Sequence, residues 1–281
     1  MKISKKMVSG YKQWFTHYIY SFIDGYPDLK ENIGLKANHC KKVSEEMVGL
    51  AQHLKLNEQE VLLAETIGLF HDVGRFKQYV KFQTFSDDKS QNHAELAIEV
   101  FNENNLLKDL SREENDIIHQ SILNHNKAKI KYDQNERVNL FSQMIRDADK
   151  LDIWRLITEY YMVKDQDAEK ENKSLELELP DHDKISDEVY RSVINRQVVL
   201  KESLQTLNDF KLLQIGWIFD LNFNYSVKRL YEKKYLDKIF DALPDNDKMK
   251  QIKSVVEEYF RLSLKDTSVK KAYNGLLGKK V

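Results

Sequence analysis

Asn57-Glu58-Gln59-Glu60-Val61-Leu62-Leu63-Ala64-Glu65-Thr66-Ile67-Gly68-Leu69-Phe70-His71-Asp72-Val73-Gly74 runs from a helix start to a pair of ionisable residues. Asn57 with Glu60 three residues later has the pattern of a capping box, so a helix is expected to open there. It continues through VLLAETIGLF and reaches His71-Asp72 just before Gly74, at a helix C-terminal end. An apolar run that served only as core would continue apolar. Two ionisable groups at its end, partly buried, are costly unless they are paired or bind a cation. Imidazole and carboxylate together suit Mn, Fe, Zn, Ni or Co. Adjacent helical residues point about 100° apart, so one ion can still be reached from two sides.

Working outward, the same periodicity predicts helices almost everywhere. Only nine glycines and three prolines punctuate 281 residues, so turns are scarce. A first helix is expected over Lys5 to Asp24 and a second over Lys30 to Leu54. In the second, Cys40, Val43, Met47, Leu50 and Leu54 form a stripe, with His39 beside it. Lys77 to Ser90 reads as a loop. A short helix is expected from His93 to Asn104, and another from a capping box at Ser111–Glu114 to His125. A long helix, Glu136 to Val163, carries Arg146-Asp147-Ala148-Asp149-Lys150. Residues 164–184 are charge-rich without an apolar face and read as an exposed loop. Helices resume from Ile185 to the end. The expected architecture is an all-α helical core over 1–164, with a C-terminal helical extension over 185–281 that caps the site or forms an oligomer interface. Helical bundles build metal sites from side chains on facing helices.

Composition narrows the function classes. Charged residues make up 32% and the formal net charge is −1, so no global basic field draws the chain to nucleic acid or an anionic membrane. No run approaches the ~20 apolar residues of a membrane span. The lysine-rich start lacks the apolar stretch of a signal peptide, and the single cysteine, Cys40, excludes an intramolecular disulfide. A cytoplasmic location is expected.

Eight histidines are present: His17, His39, His53, His71, His93, His119, His125 and His182. Most fall in the first half, on separate expected helices. A second acidic cluster, Asp147-Ala148-Asp149-Lys150-Leu151-Asp152, lies between apolar residues. Asp149 is four before Ile153 and four after Ile145, which puts it on the buried stripe; Asp147 and Asp152 are expected to point elsewhere.

The order His39, His71-Asp72, Asp149 resembles the HD superfamily of metal-dependent phosphohydrolases. Gly68-Leu69-Phe70-His71-Asp72-Val73-Gly74-Arg75-Phe76 looks like the family's apolar-HD-apolar-Gly signature, and Asp147 to Asp152 looks like its terminal segment. The resemblance spans about residues 35 to 160. It implies an HD-domain helical bundle in which His39, His71, Asp72 and Asp149 bind a divalent metal (Mn, Fe, Ni, Co, Zn or Mg). The family context, Ala-Asp-Lys/Arg-Leu, selects Asp149 over Asp147, leaving Asp147 to orient a ligand or a water. His93 and His125 stand where members with two ions carry their additional histidines, which implies one or two ions with Asp72 bridging. The cyclic-dinucleotide phosphodiesterases of the family have two adjacent histidines followed by Gly-Tyr-Pro at this point. Here Asn126 follows His125, which argues against that activity. His119 is off the His125 face and reads as structural; His17, His53 and His182 are assigned no role.

The resemblance implies hydrolysis of a small phosphorylated substrate, a nucleotide or similar phosphate ester, by metal-activated water, with Asp72 as a catalytic residue. Arg75 and Lys150 are the nearest cations by sequence and the candidates for the phosphoryl oxygens. Candidates for the general acid are Asp72, Asp147 and Glu95. Two other readings compete: an iron-dependent HD-type oxygenase using the same ligands, and a metal-stabilised module that binds a partner or ligand without turnover.

Overall fold

The computed structural model describes residues 1–164, 176 and 179–265 of the chain. Among these residues all regular structure is helical. The chain divides into two compact units, Met1–Ile153 and Trp154–Val281.

The first unit opens with α1 (Lys5–Gly25), capped by Ser4, and α2 (Lys30–His53). Helix α3 (Glu58–Phe70) begins at Asn57, whose side chain accepts from the Glu60 amide while the Glu60 carboxylate accepts from the Asn57 amide. Both halves of the expected capping box are therefore formed. Leu63, Ala64, Ile67, Leu69 and Phe70 of α3 are all buried. A helix apolar on most faces belongs inside the bundle, and α3 lies against α2, α6 (Arg112–His125) and α1. Phe70 anchors the core, with Tyr11, Trp14, Phe15 and Phe101 around it at ring separations of 5.6–6.3 Å.

The stretch read as a loop from Lys77 is partly helical. Helix α4 (Gly74–Phe82) continues through it, with Phe76 and Tyr79, three apart, buried on one side. The apolar pair at helical spacing overrides the turn signal of the glycine. A short 3-10 turn, Asp87–Lys89, leads to α5 (His93–Asn104), which is capped by Asn92 and begins at the histidine expected to open it.

At α6 the box is only half formed. Ser111 accepts from the Glu114 amide, but the Glu114 carboxylate is taken by the backbone N–H of Ile3 at 3.1 Å. This tertiary bond leaves the local return contact unmade. Helix α7 runs Glu136–Lys164, and the boundary between the two units falls within it.

The glycines of the HD signature are there for close approach. A Cβ on Gly68 would stand 2.6 Å from the Cα of Ser44 on α2, and one on Gly74 would stand 2.2 Å from the carbonyl oxygen of His93. Both neighbours are backbone atoms and cannot rotate away.

The second unit contains α8 (Asp187–Ile194), α9 (Leu207–Gly216), α10 (Asn224–Lys233), α11 (Tyr235–Asp241) and α12 (Asp247–Lys265). Every residue of α9 is buried. Two of its polar side chains are tied down: Asp209 accepts from the amide and hydroxyl of Ser186, and Lys211 donates to the Ala242 carbonyl at 2.6 Å. Of the stretch 164–184 read as an exposed loop, 165–175 and 177–178 lie outside the described residues, as do 266–281 of the C-terminal region. No helix among the described residues is long and apolar enough to cross a membrane.

Candidate metal centre

Six side chains from the first unit converge. His39 comes from the middle of α2 and Asp149 from the middle of α7. His71 caps the C-terminal end of α3, with Asp72 in the turn after it. His93 opens α5 and His125 closes α6. The long helices thus supply one ligand candidate each from mid-span, and the turns at helix ends supply the rest.

The two oxygens of Asp72 face two groups. Its Oδ2 lies 3.6 Å from His39 Nε2 and 3.7 Å from His71 Nε2. Asp149 Oδ1 completes that group, 3.1 Å from His39 Nε2 and 3.6 Å from His71 Nε2. Asp72 Oδ1 lies 3.3 Å from His93 Nε2 and 3.7 Å from His125 Nε2. Within the groups, the His39 and His71 ε nitrogens are 3.3 Å apart and those of His93 and His125 are 2.9 Å apart.

Each imidazole is oriented from behind. His39 Nδ1 pairs with Asp152 Oδ2 at 2.8 Å, and His93 Nδ1 with Asp87 Oδ2 at 2.7 Å. His71 Nδ1 donates to the Gly68 carbonyl and His125 Nδ1 to the Ile122 carbonyl, at 2.8 and 2.6 Å. Carbonyls and ionised carboxylates only accept, so each Nδ1 carries the proton. In the neutral rings the Nε2 lone pairs then point inward at one another and at carboxylate oxygens. Such a set repels itself unless a cation lies among it, and outward Nδ1–H bonds to carboxylates and carbonyls are the usual support of metal-bound histidine. Ligand bonds of ~2.1 Å place neighbouring donors about 3.0 Å apart in an octahedral site and about 3.4 Å apart in a tetrahedral one. The separations here fall around those values, so the residues fit a divalent ion.

The charges agree. Burial alone would raise the Asp72 carboxyl, but Lys36, His71 and Arg75 hold it well below the usual carboxylate range. Asp149, likewise opposed by burial, is held low by His39 and His71. Burial and the Arg75 charge push His93 down to about 3, so its ring is neutral at neutral pH, as ligation requires. Burial and Lys36 work against a proton on His39, but its bonds to Asp149 and Asp152 raise its pKa.

The other residues read from sequence fall less uniformly. Arg75 is at the site: its Nε is 3.4 Å from Asp72 Oδ1, and its Nη1 donates to Gln78, to the Phe85 carbonyl and to Asp87. Lys150 is part-buried on α7, with Nζ 3.5 Å from the Arg146 carbonyl one turn back. Asp152 was expected to point away, but it is buried and holds His39. It lies three residues after Asp149, close to the same helix face. Asp147 is also fully buried. His119 stacks on Phe101, with ring centroids 5.6 Å apart, outside the cluster. His17, His53 and His182 are exposed.

Two residues escaped the sequence reading. Lys36 Nζ lies 2.9 Å from Asp72 Oδ2 and over the Phe85 ring. Its signal was its place one turn before His39 on α2. Asp87 lies in the connection between α4 and α5, and only the folded chain brings it to His93.

Residues 37–154 match the family model for the HD domain. No curated protein and no solved structure gave a match. HD domains are typical of metal-dependent phosphohydrolases. All six converging side chains, and Asp152 and Asp87 behind them, lie within the span that is similar to HD domains.

Proposed function

We propose that the protein is a metal-dependent phosphohydrolase that takes a small phosphorylated substrate, a nucleotide or similar phosphate ester. The observation that carries the reading is the convergence of four imidazole Nε2 atoms on the two separate oxygens of Asp72, with the Asp149 carboxylate against His39 and His71. A divalent ion held there supplies a Lewis acid that brings the pKa of water toward neutrality. The chain's own residues do the rest. Asp72 bridges the two groups with one oxygen each, so two ions per chain are proposed. Asp149 is 19% exposed at its side chain while the other five are 4% or less, so substrate is read as entering on the Asp149 side. Lys36 and Arg75 flank Asp72 from opposite oxygens, and with Lys150 they supply the positive charge that phosphoryl oxygens need as the bond to the leaving group breaks. The near-neutral net charge favours a small substrate over a nucleic acid.

The test is phosphate release from a panel of nucleotides and simple phosphate esters with Mn, Fe, Ni, Co, Zn and Mg supplied in turn. Release with at least one metal and its loss with chelator support the reading. Oxygen consumption by the iron form without phosphate release, or no turnover with any metal, contradicts it.

Two substitutions bear on the details. His93→Ala together with His125→Ala is expected to lower Mn²⁺ from two ions per chain to one, measured by elemental analysis; an unchanged count removes these histidines from the site. Lys36→Met is expected to retain both ions but slow kcat by about 10²-fold, the usual loss for one electrostatic donor at a reacting centre. An unchanged kcat would show that Lys36 only neutralises Asp72.

A further inference from the structure

The two groups of ligands are built on one plan. Each has one imidazole backed by a carboxylate, His39 by Asp152 and His93 by Asp87. Each has one backed by the carbonyl three residues earlier in its own helix, His71 by Gly68 and His125 by Ile122. The carbonyls are fixed by helix geometry. The carboxylates are side chains and can be changed one at a time.

We infer that Asp87 is the positioning residue of the His93/His125 group, as Asp152 is of the His39/His71 group, so that the two ion sites can be weakened independently. The inference rests on the reading of the cluster as a metal site. Asp87 gathers donors from three places. His93 offers Nδ1 to both of its oxygens, at 2.9 and 2.7 Å. From α4 come Arg75 Nη1 at 3.0 Å and Gln78 Nε2 at 2.8 Å. From the end of α6 comes Asn126 Nδ2 at 3.3 Å. The bonds to His93 fix the ring of a residue at the very start of a helix and increase the basicity of its inward nitrogen.

Asp87 also restrains Arg75. With Nη1 held by Asp87, Gln78 and the Phe85 carbonyl, the guanidinium reaches Asp72 Oδ1 through Nε at 3.4 Å. That oxygen is the one facing His93 and His125. Without the Asp87 charge, Arg75 keeps its bonds to Gln78 and the Phe85 carbonyl but loses its second carboxylate, so its charge bears more strongly on Asp72 and competes with an ion there. Both effects weaken the same half of the site, whereas Asp152 bonds His39 in the other half.

The test uses the full chain stripped of metal and titrated with Mn²⁺, followed by calorimetry and by the electron paramagnetic resonance of the bound ions. Asp87→Asn keeps the volume and removes the charge. It is expected to weaken one of two Mn²⁺ ions by 10–100-fold, the usual range for losing such a partner, and to leave the other unchanged. Asp152→Asn is expected to weaken the other ion instead. The ion that survives His93→Ala/His125→Ala identifies which is which. The retained ion also shows that the variant domain is folded. Asp87→Glu, which keeps the charge, is expected to recover part of the loss. If both asparagine variants weaken the same ion, or Asp87→Asn weakens neither or both alike, the inference is overturned. If the unaltered chain binds no Mn²⁺, the metal-site reading itself fails, and this inference with it.

Discussion

Asp72→Ala is expected to empty both halves of the site at once and to lower phosphate release by about 10³-fold or more, the scale at which loss of the metal's charge stabilisation acts. Asp72 pairs with the histidines of both groups, one oxygen to each. His39 and His71 meet its Oδ2, whereas His93 and His125 meet its Oδ1. Without the carboxylate, four imidazoles retain inward lone pairs but only Asp149 supplies negative charge. Asp72→Asn is the sharper variant. The amide has the same shape, but only one of its two termini can act as a ligand, so it is expected to hold one ion at most. Elemental analysis alongside the activity assay checks both. Full occupancy in either variant would remove Asp72 from the bridging position.

Gly74→Ala is expected to destabilise the first unit by about 3 kcal/mol, the upper end for overpacking. The added methyl would meet the His93 carbonyl oxygen at 2.2 Å and the Ala97 amide nitrogen at 2.6 Å. Both belong to the backbone of α5, so only movement of α4 away from α5 relieves the clash. For a unit of this size the loss corresponds to a melting temperature lower by roughly 6–12 °C. His93 is displaced in the same movement, so Mn²⁺ binding should fall with stability. Thermal unfolding by circular dichroism, with and without Mn²⁺, measures both. A melting temperature within a degree of the unaltered chain would show that the two helices are not held at this spacing.

Those two residues mark how far the sequence could be read. His71 and Asp72 stood out because ionisable groups ended an apolar run. His39, His93, His125 and Asp149 followed from order and helical context, and the folded chain brings all six together. Asp152 was misplaced because the face was judged by its apolar neighbours four residues away. A residue three after Asp149 shares its side of the helix, and burial there is tolerated because His39 pairs with it. Lys36 carried a readable signal, one turn before His39, but exposed lysines are so common on helices that position alone did not single it out. Asp87 carried none. Its partners come from α4, α5 and the end of α6, and only tertiary structure joins them. The same holds for Glu114, whose bond to Ile3 crosses most of the first unit's sequence, and for the glycines, whose necessity lies in the backbone of another helix. Helix α4 was obscured by Gly74, although Phe76 and Tyr79 already had helical spacing.

The most direct measurement is the metal content of the full chain after loading with Mn²⁺ and removal of excess ion, taken together with phosphate release from the same sample. The account predicts two ions per chain, both lost in Asp72→Ala, and hydrolysis that disappears with them. A chain that binds no divalent ion, or one that releases phosphate at an unchanged rate after the ions are stripped, would contradict it.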